Sequence, residues 1–303
     1  MRKIYLVLLV AAVTVMSIGC TEKKASLQEL SFTQLMEQSS PEQVQAWYNG
    51  ASCLSEEYTK AHAAELREQK KMLVFDLDGT LSNHKCPMPE ANKALLDALG
   101  KRYHLVVCGA GNAPRIHKQM EQYPIDIVGN YGMQHAKVVD GELQITKQIV
   151  TEVDAAFFLE KTNYLREKYG YTNYHGEPIE FHKTGMVTFG LLGTTAPKEE
   201  KIVFDPDRAK RCVMYPEVLE IFKDYTVYIG GSSSFDIVGK QYNKYDATME
   251  YAQMYGYTKE QVLFMGDDMG DGGGDSHVRL GGMDYIHVLD YTKIPEMLAF
   301  LLE

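Results

Sequence analysis

The sequence predicts an α/β protein: a doubly wound, Rossmann-like parallel sheet forms the core, and an α+β cap is inserted into it. Compact apolar runs at residues 72–75, 103–108 and 262–265 are typical of buried parallel strands. Helical patterns at residues 89–99 and 115–122 alternate with the first two runs. The alternation stops at about residue 134 and returns at about residue 239, which indicates an insertion.

The size and charge of the chain limit the number of its domains and the kinds of partner it can bind. Its 303 residues are enough for one layered domain and a smaller second one. Lys and Arg number 31 against 41 Asp and Glu, which gives a net charge of −10, and no basic run is present. These features argue against a nucleic-acid partner.

The first twenty residues have the pattern of an export signal. Arg2 and Lys3 precede an apolar run at residues 4–15, and Ser-Ile-Gly-Cys follows at residues 17–20. Small residues before Cys20 resemble a bacterial lipoprotein signal, although Ser17 stands where Leu is usual. A cleaved secretory signal and a retained anchor are the alternatives. We expect residues 1–19 to be removed, and the protein to be exported to the cell envelope, lipid-anchored or periplasmic.

The remaining chain divides into a tether with N-terminal helices at 20–71, a core at 72–133 and 239–303, and a cap at 134–238. The N-terminal helices are expected to pack outside the core. In the cap, a hairpin with an Asp140-Gly141 turn precedes a helix at 153–169. Strands are predicted in the cap at residues 179–182, 186–192 and 225–229. Cys53, Cys86, Cys108 and Cys212 allow either two disulfides or free thiols.

Carboxylates follow two of the predicted core strands. Asp76 and Asp78 come directly after Phe75, and Asp267 follows Met265 by two residues. Ligands bind at the carboxyl ends of strands in an open α/β sheet, so these side chains are expected to meet there. Carboxylate oxygens suit Mg²⁺, which would offset their mutual repulsion. An Asp-Gly turn ending a strand is the alternative, but it leaves the second acidic cluster unexplained.

Residues 75–81, Phe-Asp-Leu-Asp-Gly-Thr-Leu, resemble the first motif of the haloacid dehalogenase superfamily. The resemblance implies that Asp76 is a nucleophile that forms an aspartyl-phosphate, and that Asp78 is the general acid and base. It implies that Lys244 offsets the phosphate charge and holds Asp76 ionised. The metal ligands would be Asp76, Asp78 through its backbone carbonyl, Asp267 and Asp275. Asp268 and Asp271 are expected to be solvated loop residues.

Residues 72–289 are similar to the phosphomannomutase branch of that superfamily, which carries its cap between the second and third motifs. Five segments occur in the order of that branch: 129–133, 179–181, 185–187, 229–236 and 266–275. The resemblance implies that Ser234 and Asp236 contact sugar hydroxyls from the cap. The alternative is that both are hinge residues.

Two departures from the branch affect the expected reaction. His175, His182 and Thr194 stand where the branch grips a remote phosphate with arginines, and they cannot supply that fixed charge. In the second motif, Gly109 is followed by Ala110 where Ser or Thr is usual, which leaves Asn112 or the Gly111 amide to contact the phosphate. Gly109, Ala110 and Asn112 are therefore counted among the substrate-binding residues.

We expect a Mg²⁺-dependent phosphatase that acts on a small phosphorylated metabolite such as a sugar phosphate. Because the arginines that would bind a remote phosphate are missing, water should outcompete a second sugar phosphate as the acceptor of the phosphoryl group. One alternative is a sugar-phosphate mutase of the phosphomannomutase type, and another is a lipid-anchored binding protein on the same scaffold. Association of chains through the cap is left open.

Overall fold

The computed structural model describes residue 40 and residues 52–302. The predicted signal segment at residues 1–19, Cys20 and most of the predicted tether lie outside the described residues. Within them, no helix has the length and apolar character that a bilayer span requires. The four cysteines from Cys53 onward are free thiols in the structure.

A seven-stranded sheet forms the core, and its strands lie side by side in the order 285–287, 262–266, 72–75, 104–108, 126–129, 134–139 and 142–148. Its parallel strands are β1 (Met72–Phe75), β2 (His104–Cys108), β3 (Asp126–Gly129), β10 (Val262–Gly266) and β11 (Tyr285–His287). The chain leaves β1 toward β2 on one side and returns to β10 on the other. The carboxyl ends of β1 and β10 therefore form the switch point where ligands bind in such sheets.

Helices cover both faces of this sheet, which confirms the predicted fold class. They are α1 (Glu56–Ala61), α2 (Ala63–Gln69), α3 (Glu90–Leu99), α4 (Ala113–Gln119), α8 (Lys244–Met254), α9 (Ser276–Leu280) and α10 (Ile294–Met297). Leu73 and Phe75 of β1 join the apolar layer under α3, whereas Met72 and Val74 join the layer under α8. Burial of β1 on both faces accounts for its unbroken apolar sequence.

The hairpin that the sequence analysis placed in the cap belongs to the large sheet. β4 (Gln134–Val139) pairs antiparallel with β3, and β5 (Glu142–Gln148) forms the outer edge. The N-terminal segment also differs from expectation, because Leu54, which precedes α1, and Leu66 of α2 are buried in the main core cluster. The polar composition of this segment led to the prediction that it packs outside the core. Its apolar side chains nevertheless contact the core.

The cap is an antiparallel sheet of four strands in the order β6-β7-β9-β8. The strands are β6 (Glu180–Phe181), β7 (Val187–Gly190), β8 (Tyr225–Tyr228) and β9 (Ser234–Gly239). The cap helices are α5 (Ala155–Tyr169), α6 (Lys198–Phe204) and α7 (Ala209–Ile221). Phe158 of α5 and Met214 of α7 pack with Phe189 and Phe235 of the sheet. This packing covers one sheet face and leaves Thr188 and Asp236 lining the cleft toward the core.

The cap meets the core at an aromatic contact. The rings of Tyr131, which follows β3, and Tyr228 of β8 stack with centroids 4.4 Å apart and planes at 8°. Met133, Met186 and Val238 complete this apolar junction. The junction holds the cap over the carboxyl ends of β1 and β10.

Candidate active site

Lys244 pairs with two of the carboxylates that the sequence analysis singled out. It is the first residue of α8, and the preceding Asn243 caps the helix by accepting a hydrogen bond from the Asp246 amide at 2.9 Å. The Lys244 Nζ lies 2.6 Å from Asp76 Oδ1 and 2.7 Å from Asp275 Oδ1. The structure thus brings together side chains that are 168 and 31 residues from Lys244 along the sequence.

Three of the four predicted metal ligands form one cluster. Asp76, Asp267 and Asp275 each offer an oxygen atom within 4.8 Å of the others. Gly79 allows this approach, since a Cβ there would lie 2.3 Å from Asp267 Oδ2 and its φ is +98°. Thr80 Oγ1 donates to Asp267 Oδ1 at 3.2 Å and orients that carboxylate.

The mutual repulsion of these carboxylates favours the binding of a cation in addition to Lys244. Burial raises the pKa of Asp76 well above its usual value, and the neighbouring Asp275 and Asp267 add to the effect. Lys244 lowers the pKa of Asp76 as the sequence analysis expected, but it does not outweigh burial. Burial, Asp275 and Asp268 raise the pKa of Asp267 to about 7. A small divalent cation would stabilise the ionised carboxylates, and a donor set made only of oxygen fits Mg²⁺.

Asp78 lies apart from that cluster, with its carboxylate turned into the cleft. Asp78 Oδ1 accepts hydrogen bonds from the Lys85 amide and from Gln119 Nε2, both at 2.7 Å. Arg115 Nη2 lies 3.6 Å from Asp78 Oδ2. The Asp78 carboxylate is therefore engaged away from the Asp76, Asp267 and Asp275 cluster, so only its backbone carbonyl is left as a ligand for a metal ion there.

The second-motif loop lines the same cleft through Gly109, Ala110 and Asn112. Asn112 Oδ1 is already engaged, because it accepts the Arg115 amide at 2.9 Å and caps α4. Asn130 Nδ2 donates to the Ala110 carbonyl at 2.9 Å and fixes the loop. The position that the branch fills with a hydroxyl carries only the Ala110 methyl group.

Ser234 and Asp236 line the cleft from β9 of the cap. Asp236 Oδ1 accepts from Thr188 Oγ1 at 3.0 Å and Oδ2 accepts from Tyr131 OH at 3.4 Å, while burial raises the pKa of Asp236. Ser234 Oγ donates to the Gly230 carbonyl at 3.0 Å. Both residues face the chamber that would hold the substrate.

His182 and Thr194 also line the cleft, whereas His175 lies at the surface beside Glu200, at 3.2 Å. The three residues therefore do not form one site. His182 Nε2 and Thr188 Oγ1 are 3.0 Å apart, which places this ring against the cap sheet.

The sequence analysis missed two cap arginines: Arg208 lines the cleft, and Arg211 supports a loop that lines it. Arg208 Nη1 lies 2.5 Å from Asp268 Oδ1, so the expectation of a solvated Asp268 was wrong. Asp271, in contrast, has a side chain that is 80% exposed and pairs with Arg279. The buried Arg211 pairs with Asp205 and donates to carbonyls of the 230–234 loop. An isolated arginine in a helical pattern gives no sequence signal for such contacts.

The cleft between core and cap has a volume of about 210 Å³. Asp76, Lys244 and Asp267 lie at its core side, and Asp236 lies at its cap side. This volume accommodates a small metabolite, and the carboxylates and cations around it suit an anionic substrate bound with a metal ion.

Known proteins resemble both the sequence and the fold. The family model of haloacid dehalogenase-like hydrolases matches residues 73–272. A phosphomannomutase of Encephalitozoon cuniculi (strain GB-M1) is 25% identical over 223 residues, which are 70% of this chain and 85% of that protein. The N-terminally truncated IMP-nucleotidase of Plasmodium falciparum superimposes with a TM-score of 0.56 at 16% identity, over 81% of this chain and 74% of that one. Its IMP-bound form gives 0.52 at 13% identity, over 81% and 71%.

The structural likeness shows a shared fold, and the family match covers most of the chain, including Asp76, Asp78, Lys244 and Asp267. The chain belongs to the haloacid dehalogenase-like hydrolases and is an enzyme of their phosphatase and phosphomutase type.

Proposed function

We propose that the enzyme is a Mg²⁺-dependent phosphohydrolase that cleaves a small phosphorylated metabolite, such as a sugar phosphate, through an aspartyl-phosphate on Asp76. The observation that carries the proposal is the Lys244 ammonium between Asp76 and Asp275, with Asp267 in the same cluster. The residues to which the proposal gives the roles of nucleophile, charge partner and metal ligands therefore lie together at one sheet edge.

The first half-reaction would transfer the phosphoryl group to Asp76. Lys244 holds Asp76 Oδ1, which leaves Oδ2 to attack phosphorus. Asp78 would protonate the leaving oxygen from Oδ2, since its Oδ1 is held by the Lys85 amide and Gln119. Bound Mg²⁺ would offset the charge of the carboxylates and of the transferring phosphoryl group.

The second half-reaction would return the phosphoryl group to water. Asp78, now deprotonated, would take a proton from the attacking water as a general base. The stacked Tyr131 and Tyr228 keep the cap over the site, which would limit access of water until the leaving group departs.

The test is phosphate release by the full chain from a set of phosphorylated metabolites, with Mg²⁺ or with a chelator. We expect release only with Mg²⁺ and none from the Asp76→Asn variant. Asp271→Asn is the matched control, because this carboxylate lies in the same acidic loop and is exposed. Release that survives in Asp76→Asn would contradict the assigned nucleophile.

A mutase is the second candidate, favoured by the similarity to a phosphomannomutase. It would interconvert mannose 1-phosphate and mannose 6-phosphate when a sugar bisphosphate is supplied. Faster interconversion than phosphate release would establish the mutase. Sugar-phosphate binding without either reaction would point instead to a binding protein.

We also propose that the enzyme is exported and anchored by lipid on Cys20, as the pattern of residues 1–20 favours. Labelling with a radioactive fatty acid in cells tests this. Label should appear on the wild-type protein after removal of residues 1–19 and be absent from Cys20→Ala. If the wild-type protein is not labelled, the remaining hypotheses are a cleaved secretory signal and a retained membrane anchor.

A further inference from the structure

Two cap arginines at the start of α7 reach two different loops beside the cleft. Arg208 Nη1 pairs with Asp268 Oδ1 in the acidic loop of the core, which comprises residues 267–275. Arg211 Nη1 instead donates to carbonyls of the cap loop, residues 230–234. The distances are 2.8 Å to Gly230, 3.0 Å to Gly231 and 3.2 Å to Ser234. One short segment of the cap thus contacts a loop of each unit.

Each of these loops carries side chains with a role in the proposed reaction. Asp267 and Asp275 of the acidic loop belong to the carboxylate cluster that would hold Mg²⁺. The cap loop lines the cleft and leads through Ser234 to Asp236, which lines it as well. The position of the acidic loop therefore affects the metal ion, and the position of the cap loop affects the substrate.

Asp205 fixes the separation of the two arginines. Its Oδ2 accepts from Arg211 Nε at 2.7 Å, and its backbone carbonyl accepts from the Arg208 amide at 3.1 Å. The side chains of Asp205 and Arg211 are each only 1% exposed. Separating a buried ion pair leaves uncompensated charge, so a change in this geometry is strongly disfavoured. Residues 205–211, which we call the arginine turn, are therefore expected to move as one piece.

The arginine turn contains a strained residue at its contact with the core. The φ of Arg208 is +62°, in the left-handed region that L-residues other than Asn and Asp rarely adopt. Such strain persists where the surrounding structure imposes it, and it is concentrated at functional sites. Here it accompanies the contact with Asp268, the residue that follows Asp267. The strain therefore distinguishes this contact from ordinary packing of the cap on the core.

The acidic loop also touches the cap at a second point. The Ile229 amide, directly before the cap loop, donates to the Gly272 carbonyl at 2.8 Å. Tyr215 of α7 packs closely against Gly272, since a Cβ on this glycine would lie 2.8 Å from Tyr215 Cζ. A change in the acidic loop would therefore reach the cap loop both through Asp268 and the arginine turn and through Gly272.

We propose that the arginine turn couples the two loops, with Arg208 positioning the acidic loop and Arg211 positioning the cap loop, so that Mg²⁺ bound at the acidic loop orders the cap residues that face the substrate. The proposal rests on the proposed Mg²⁺-dependent function. Coupling of this kind is reciprocal, so a substrate held by the cap loop would tighten Mg²⁺ binding by the same factor. Both arginines are positioning residues, because they act through other residues of the chain.

Amide hydrogen exchange of the full chain, with and without Mg²⁺, tests the coupling in the absence of substrate. We expect saturating Mg²⁺ to slow exchange in the acidic loop and also, about fivefold or more, at residues 229–236 of the cap. Protection confined to the acidic loop would overturn the coupling and leave the proposed metal site intact. Unchanged exchange in both loops would refute the metal site and the coupling together. Neither result depends on phosphate release.

Variants assign the coupling to the arginine turn. In Arg208→Gln and in Arg211→Lys, saturating Mg²⁺ should still protect the acidic loop, but most of the protection at residues 229–236 should be lost. Lys210→Gln is the matched control, because Lys210 is exposed on the same helix and its Nζ donates to the Phe204 carbonyl. Full protection in both arginine variants, or an equal loss in Lys210→Gln, would overturn the assignment.

Kinetics separate a positioning role from a role in stability alone. Arg208 is partly exposed, so Arg208→Gln is expected to fold and keeps the exchange test valid if Arg211→Lys does not. With an ester that the enzyme hydrolyses, Arg211→Lys should raise KM about fivefold or more and change kcat little, since the cap loop would bind the unreacting part of the substrate. Partial unfolding would instead lower the apparent kcat at unchanged KM, and that result would contradict the positioning role.

Discussion

The Arg208 guanidinium of the cap contacts the Asp268 carboxylate beside the metal cluster, with Nη1 2.5 Å from Oδ1. Asp268 makes two further hydrogen bonds within the loop. Its Oδ2 accepts from the Gly274 amide at 2.8 Å, and its own amide donates to Asp275 Oδ2 at 3.1 Å. Since Asp275 also pairs with Lys244, three consecutive contacts connect the cap residue Arg208 to Lys244.

Arg208→Gln is expected to weaken Mg²⁺ binding, because Asp268 then loses the partner that orients the loop. Loss of such an outer contact typically costs about 10-fold in metal affinity or more. Stability should change by less than about 1 kcal/mol, because the pair is partly exposed. A Mg²⁺ titration of activity, together with the Mg²⁺-induced shift in Tm, measures both effects.

A charge-conserving change is the control for this contact. Arg208→Lys keeps a positive charge opposite Asp268 and should retain more of the Mg²⁺ affinity than Arg208→Gln does. If Arg208→Lys and Arg208→Gln lose the same affinity, the charge of this pair does not support the loop.

Gly79→Ala is expected to disrupt the metal cluster through steric contact with Asp267. A Cβ at this position would lie 2.3 Å from Asp267 Oδ2 and would push the carboxylate aside. Gly141→Ala is the matched control, since Gly141 also has a positive φ, +83°, but among the described residues, apart from Gly141 and its chain neighbours, no atom lies within 4 Å of the position that its added methyl group would take. Both changes should cost about 1–2 kcal/mol in backbone strain. Only Gly79→Ala should also lose the Mg²⁺-induced rise in Tm; equal behaviour would show that strain alone matters.

Ala110→Ser is expected to raise kcat/KM. The methyl group of Ala110 lines the cleft in the loop that follows β2, and a hydroxyl there could donate to the phosphate. One such hydrogen bond contributes about 1 kcal/mol, so roughly a fivefold increase should follow. Ala110→Cys is a control of similar size with a much weaker donor. Equal rates for Ser and Cys would indicate that another group already fills this role.

The sequence predicted the parts of the site that lie next to a strand end. Asp76 and Asp267 follow strands whose burial on both faces makes them apolar throughout, so their positions at the sheet edge could be inferred. Arg208 and Asp268 could not be paired in this way, because one lies on the cap and the other on the core and their contact depends on how the two units pack.

Two elements of the cap and the sheet to which one hairpin belongs were not predicted, for similar reasons. The helix α7 contains Pro216, which obscures its pattern, and β9 begins with the polar Ser234 where it enters the cleft. The β4–β5 hairpin has the turn that was predicted, but a hairpin pattern does not state which sheet it joins. That choice is made by pairing between Ile127 and Ala136 across β3 and β4.

His135 is expected to make stability fall as the pH is lowered. It is buried on β4 with its ring edge-on to Tyr251 at 5.0 Å, and neither ring nitrogen has a hydrogen-bond partner within the described residues. Burial, followed by the charge of Lys147, lowers the pKa of His135 from 6.5 to about 4. Above pH 6.5 the ring is neutral in both states, so it contributes no pH dependence there.

Below pH 6.5 the unfolded chain binds a proton at His135 that the folded protein excludes, so stability decreases until about pH 4, where the folded protein also binds it. The free energy of unfolding decreases by about 3 kcal/mol in total because of this proton. Urea unfolding of the wild type and of His135→Phe between pH 4 and 7 measures it, and carboxylates titrate alike in both proteins. The free energy of unfolding of His135→Phe should fall less steeply over this range. Parallel curves would show that the folded protein accepts the proton at His135 without cost, by opening β4 or by admitting water to the ring.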